Sequence, residues 1–146
     1  MSIANINIDK RDRDDISQIL QAIQIIYKTP ELSNLVCRTL DKIVTNSQQD
    51  WAVLILGTLS LDLNLDASRL QNLANNHRMV RQFLGHNDDF SYQYSLESIK
   101  RHVSLFTPEI LESINQSILQ SGYISLQNRR KRTIAWSFRL LAKIAY

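Results

Sequence analysis

Residues 51–61 read W-A-V-L-I-L-G-T-L-S-L, apolar nearly all round a helical projection, and such a segment needs other elements to cover it on every side. Asp50 stands ahead of it as a candidate cap, and the preferred reading is a helix at the centre of a bundle. A buried strand is the competing reading, because short apolar runs with β-branched residues carry no decisive period. The rest of the chain leans away from sheets. Only 3 Gly and 2 Pro among 146 residues leave little punctuation for hairpins, which disfavours an all-β sandwich or barrel. At roughly 100–200 residues per domain the length fits one compact unit with room for an appendage. A chain near this size buries roughly 68–70% of its unfolded surface and needs no disulfide or metal staple.

Helical spacing recurs on both sides of that central run. After a polar leader over residues 1–13, Asp14 or Asp15 can cap a helix with Ile16, Ile19, Leu20, Ile23, Ile26 and Tyr27 on one face. Thr29-Pro30-Glu31 ends it and starts the next helix, striped by Leu32, Leu35, Val36, Leu40, Ile43 and Val44. Residues 45–49 are polar and read as a loop. Asp66 caps a short helix, Asn75-Asn76 breaks it, and helical spacing resumes from His77 to Leu84. Gly85 then stands where a left-handed residue closes a helix. Residues 86–94 are polar and acidic with aromatic anchors, hence a loop. Ser95 can cap a helix with Leu96, Ile99 and Val103 inward and Lys100 and Arg101 outward. Thr107-Pro108-Glu109 repeats the start signal for a last helix ending at Gly122. The expectation is an all-α, compact multi-helix bundle over residues 14–122.

Charge separates the body from the tail. The net charge is +3, yet residues 1–122 hold all 14 acids against 11 bases, while residues 123–146 hold six bases and no acid. Such asymmetry can mark a basic appendage for an anionic partner. The single Cys37 excludes an intramolecular disulfide framework and a thiolate zinc cage. The first residues turn polar and charged before an apolar signal region can form, and the longest unbroken apolar run, Trp51 to Leu56, is far short of the ~20 residues that span a bilayer. The expected setting is cytoplasmic, with no membrane partner.

A search for catalytic patterns returns none. His77, His86 and His102 form no H-E-x-x-H or comparable pair. There is no nucleophile elbow, Walker loop or dinucleotide-binding glycine pattern. Cys37 sits on an amphipathic stretch and reads as a small packed side chain rather than a nucleophile. Asp14-Asp15 and Asp88-Asp89 read as solvated caps or loop charges. No catalytic residue, metal site or cofactor is expected. The helix, break, helix pattern between Asp66 and Gly85 could be a helix-turn-helix, with Arg78 and Arg81 facing phosphates or guanine edges. The plainer reading is two short packed helices with solvated arginines.

The same region carries a family resemblance. N-L-A-N-N-H-R-M-V-R-Q-F-L-G (72–85) resembles the "L-A-n-x-x-x-x-L-R-x-x-L-G" segment of insertion-sequence transposases, especially the ISNCY group. Residues 92–116, from Y-Q-Y-S-L-E-S-I through V-S-L-F-T-P-E-I-L-E-S-I-N-Q, are similar to that group's "Y-x-x-Q-T-x-x-D-N-V-S-L-L-T-P-E-L-L-x-x-I-N". Upstream, Tyr27 to Leu32 and Trp51 to Leu63 are similar, in order, to its "T-P-E-L" and "W-q-I-L-V-L-G-V-x-R-L-x-L" segments. These ordered segments fall between about Asp14 and Gly122.

That resemblance implies an N-terminal helical region of an enzyme whose RNase H-like domain carries a D-D-E triad, which would hold two divalent metals. The expectation is that such a domain is missing after Gly122, because residues 123–146 do not resemble it. Neither Asp88-Asp89 nor Glu109 and Glu112 substitutes for the triad. The loss of pattern at Gly122, followed by an acid-free tail, is what a truncated or frameshifted transposase gene would produce. The resemblance therefore implies a catalytically incomplete, transposase-like protein whose partner is DNA, at transposon ends. Its expected DNA contacts are Arg78, Arg81, Lys100 and Arg101 in the body and Arg129, Arg130, Lys131 and Arg132 in the tail. The tail continues into an apolar-rich helical pattern (Ile134, Trp136, Phe138, Leu140, Leu141, Ile144), which leaves open a nucleic-acid contact, an interfacial one or no selected role. The alternative for the whole chain is a helical self-association module that pairs with itself or with an intact transposase without touching DNA.

Overall fold

Helix α3, Asp50–Leu63, decides the architecture, because every residue from Val53 to Leu59 is buried. The computed structural model of the chain describes residues 3–9, 14–44, 49–86 and 91–120. A single 3-10 turn, Ile3–Asn5, precedes α1 (Asp15–Lys28), α2 (Pro30–Leu40) and α3, and after it come α4 (Ala67–Asn76), α5 (Arg78–Phe83), α6 (Leu96–Leu105) and α7 (Pro108–Gln120). Among the described residues there is no strand, so the all-α reading holds and the strand alternative for the central run falls. Helix α3 packs against α1, α4 and α6, and α7 packs against α2. Residues 123–146, Asp88, Asp89 and Gly122 lie outside the described residues.

Local signals place most of the helix starts. Asp66 Oδ1 accepts from Arg69 N at 2.8 Å, and Ser95 Oγ accepts from Ser98 N at 3.1 Å. Thr107 Oγ1 accepts from Ile110 N at 3.3 Å, with Pro108 as the first helical residue of α7. Gly85 has φ +89°, His86 N donates to Arg81 O and Gly85 N donates to Gln82 O, so α5 ends in the left-handed closure that the glycine announces. One αL residue carries no glycine: Asn64, φ 51°, ends α3 while Leu65 N donates to Ser60 O at 3.0 Å. Asparagine tolerates that conformation better than most side chains.

Four expectations change. Thr29 does precede α2, but its hydroxyl donates back to Ile25 O at 2.8 Å and caps nothing in α2. Asp50 lies in the first turn of α3 and is buried, while Gln49 holds the N-cap position. The break between α4 and α5 falls at His77 and not at Asn75-Asn76, both of which remain helical. The polar leader is also not outside the domain. Ile3, Ile6 and Ile8 are buried, and Gln24 Nε2 donates to Ile3 O at 2.9 Å and to Ile6 O at 2.6 Å. That amide satisfies two backbone carbonyls where the leader crosses α1, which is why a glutamine can sit on a helix face lined with Leu20, Ile23 and Ile26.

Candidate functional site

Arg81 was expected at the surface and is fully buried. Its Nη1 donates to Ala74 O at 3.2 Å and to Asn75 O at 3.4 Å, and its Nη2 donates to Tyr92 O at 3.0 Å. Ala74 and Asn75 belong to the last turn of α4, whose carbonyls lack intrahelical donors and carry the negative end of the helix dipole. The guanidinium therefore closes one helix and ties down the segment ahead of α6. It is withdrawn from the set of surface contacts. Its burial also weighs against α5 as a DNA-reading helix: α5 has six residues, of which Val80, Arg81 and Phe83 face inward.

Arg78, Lys100 and Arg101 are exposed as expected, and Arg78 and Arg101 line different grooves. Arg78 lines a groove of about 510 Å³ with Asn5, Asn7, His77 and Gln82, against the N-terminal segment. Arg101 lines a different groove, about 480 Å³, with His86, Tyr92, Tyr94 and His102. Lys100 stands beside Arg101 on the outer face of α6, where Ile99 turns into the core. Arg129, Arg130, Lys131 and Arg132 lie outside the described residues.

The groove beside α6 is an aromatic assembly. The rings of His86 and Tyr92 are stacked, with centroids 4.4 Å apart and planes 12° from parallel. Tyr94 meets both of them edge-on at 5.3 and 5.1 Å, and meets His102 at 6.2 Å. Tyr94 Oη and His86 Nε2 are joined by a hydrogen bond of 2.7 Å. Burial, reinforced by the neighbouring Tyr92, pushes the Tyr94 phenol up to about 12, so it stays neutral in any physiological buffer. His102 Nδ1 lies 2.7 Å from Ser98 O. A carbonyl can only accept, so Nδ1 is the donor in this bond. Tyr94 is anchored through its main chain as well: its N donates to Asn75 Oδ1 at 2.6 Å, and its O accepts from Asn75 Nδ2 and Gln71 Nε2, both at 3.0 Å.

This assembly was visible in the sequence only as aromatic anchors in a loop. The spacing of Tyr92 and Tyr94 was the available signal, but their partners His86 and His102 come from either side of the loop and from another helix.

A second feature was missed altogether. Asp50 and Asp41 approach closely enough to hydrogen-bond carboxyl to carboxyl, while Asp50 Oδ1 is buried with no partner. Burial first, then the hydrogen bond to Asp41 and its charge, push the Asp50 carboxyl up to about 7. The same burial, with the charge of Asp50 next, raises the Cys37 thiol against a lowering hydrogen bond from Ser33. A thiol held protonated is a poor nucleophile, in keeping with the packed-residue reading of Cys37. Among the described residues, no three His, Cys, Asp or Glu side chains are grouped to hold a metal ion. Also among them, no helix is long and apolar enough to cross a membrane.

Comparison of the chain with protein-family models, with curated proteins and with solved structures finds no match in any of the three.

Proposed function

We propose that the chain is a transposase-like, non-catalytic DNA-binding module that holds duplex DNA through phosphate contacts. The observation that carries the reading is the pair Lys100 and Arg101, exposed side by side on α6 and flanked by the aromatic groove. Adjacent cations on a rigid helix neutralise phosphates without loop ordering, and that arrangement binds with little sequence discrimination. The ordered similarity of residues 27–32, 51–63, 72–85 and 92–116 to insertion-sequence transposases supports DNA as the polyanion. Arg78 and the tail cluster Arg129 to Arg132 supply further contacts in this reading, and Arg81 supplies none.

The test is the salt dependence of binding to a 30-base-pair duplex, read by fluorescence anisotropy. Each phosphate contact contributes about −0.9 to the slope of log affinity against log salt. The double variant Lys100→Ala, Arg101→Ala is expected to flatten the slope by about 2, and alanine at Arg129, Arg130, Lys131 and Arg132 by about 3 to 4. An unchanged slope in the first variant removes α6 from the interface, and in the second removes the tail. A dimer in sedimentation that ignores DNA altogether would favour the self-association module instead.

A further inference from the structure

Tyr92 is the one large apolar side chain left exposed among the described residues, at 48% of its surface, and it is held firmly for an exposed ring. Its carbonyl accepts from the buried Arg81, its ring stacks on His86, and it makes a T-shaped contact with Tyr94. Tyr92 is fixed from both the main chain and the side chain, at the lip of a groove of about 480 Å³. Pockets for small-molecule ligands in general run from roughly 300 to 1,000 Å³. Arg101 and His102 line the same groove, with Gln49 as an amide donor and acceptor and Leu105 as apolar lining.

We propose that this groove takes a single unpaired nucleotide, with the base stacked on Tyr92 and its phosphate on Arg101. The inference rests on the DNA-binding reading and deepens it: α6 holds the duplex backbone, and the groove receives a base that has left the stack at a strand end. Every base has a π-face, so the site is tolerant of sequence, and stacking on a fixed aromatic strengthens binding by about tenfold or more per base. The His86–Tyr92 stack supplies a thick aromatic support, and the Arg81 hydrogen bond pre-sets the backbone from which it projects.

The same chemistry could come from a free mononucleotide, so the experiment carries both sources. The full chain is titrated with a blunt duplex, with the same duplex bearing a three-nucleotide overhang that contains 2-aminopurine, and with dAMP alone. The expected result is overhang binding about tenfold tighter than blunt, with 2-aminopurine fluorescence quenched on binding. Tyr92→Phe is expected to keep that ratio and Tyr92→Leu to bring it to about one. Both variants leave the carbonyl that Arg81 holds. Equal affinity for blunt and overhang duplexes in the wild type overturns the nucleotide site while the phosphate-contact reading stands. Absence of binding to either duplex overturns both. Binding of dAMP as tight as the overhang, lost in Tyr92→Leu, overturns the strand end as the occupant and assigns the groove to a free nucleotide.

Discussion

Asn75 and Tyr94, nineteen residues apart, are joined as two strands of a ladder would be: Tyr94 N donates to Asn75 Oδ1 at 2.6 Å, and Asn75 Nδ2 donates to Tyr94 O at 3.0 Å. A side-chain amide has the donor and acceptor of a peptide group, so a helix can pair with an extended segment without a strand of its own. The pairing holds the segment of Tyr92 and Tyr94 against α4. Asn75→Ala leaves Tyr94 N without its acceptor, while Tyr94 O keeps Gln71. The expected loss is about 1–3 kcal/mol in urea unfolding. A loss within experimental error would mean that the amide contributes nothing to the position of the loop.

Gly57 and Phe106 make a second close approach, this one in the core. A methyl group added to Gly57 would overlap the Phe106 ring, which is itself buried. In an open helix Gly→Ala stabilises by about 1 kcal/mol through propensity. Overpacking a core costs typically about 1–3 kcal/mol, and a ring boxed in on all sides cannot swing clear, so the overlap wins here. Gly57→Ala is expected to destabilise, and Phe106→Ala alone to cost about 3–5 kcal/mol through its cavity. The double variant is expected to be less destabilised than the sum of the two, because each change relieves the other. Strict additivity in thermal or urea unfolding would place the position 57 methyl and the Phe106 ring out of contact.

Asp50 gives the fold a pH dependence with a definite sign. Its carboxyl titrates near 3.8 when unfolded and is pushed up to about 7 in the bundle, chiefly by burial. Between those values the folded chain holds a proton that the unfolded chain has released, so stability falls as pH rises. The contribution is fully present below pH 4 and is lost as pH passes through about 7. Stability in urea unfolding is therefore expected to be lower at pH 8.5 than at pH 5. Asp50→Asn should flatten that dependence while keeping the hydrogen bond to Asp41. A wild-type chain equally stable at both pH values would show that Asp50 is ionised in the fold.

What the sequence made legible and what it hid divide by range. The caps at Asp66, Ser95 and Thr107 depend on bonds three residues long, so the residue type at one position settles them. The left-handed Gly85 is local in the same way. Asn75-Asn76 reads as a break because asparagine is a weak helix former, yet Asn75 remains helical where a tertiary partner engages its side chain. Ile3, Ile6 and Ile8 were outweighed by the charges around them, and only the carbonyl-seeking Gln24, on a different element, reveals that the leader packs. The aromatic groove is assembled from residues 86, 92, 94 and 102, and no single window of the sequence holds its geometry.

Arg81 and Arg101 carry the same guanidinium to opposite ends, and a pair of variants separates their roles. Arg81 donates to Ala74 O, Asn75 O and Tyr92 O from a fully buried position. Arg81→Met keeps much of the volume but leaves those three carbonyls short of a donor, at a cost of about 2–4 kcal/mol. Arg101 is exposed at the groove. Arg101→Met is expected to change stability by no more than about 0.5 kcal/mol, and to lower the salt slope of duplex binding by about 0.9. The two readouts should therefore move in opposite variants: unfolding in the first, DNA affinity in the second. If Arg81→Met folds with wild-type stability and loses DNA affinity, the arginine reaches solvent after all, and the tie between α4 and the Tyr92 segment has to be assigned to Asn75 and Gln71.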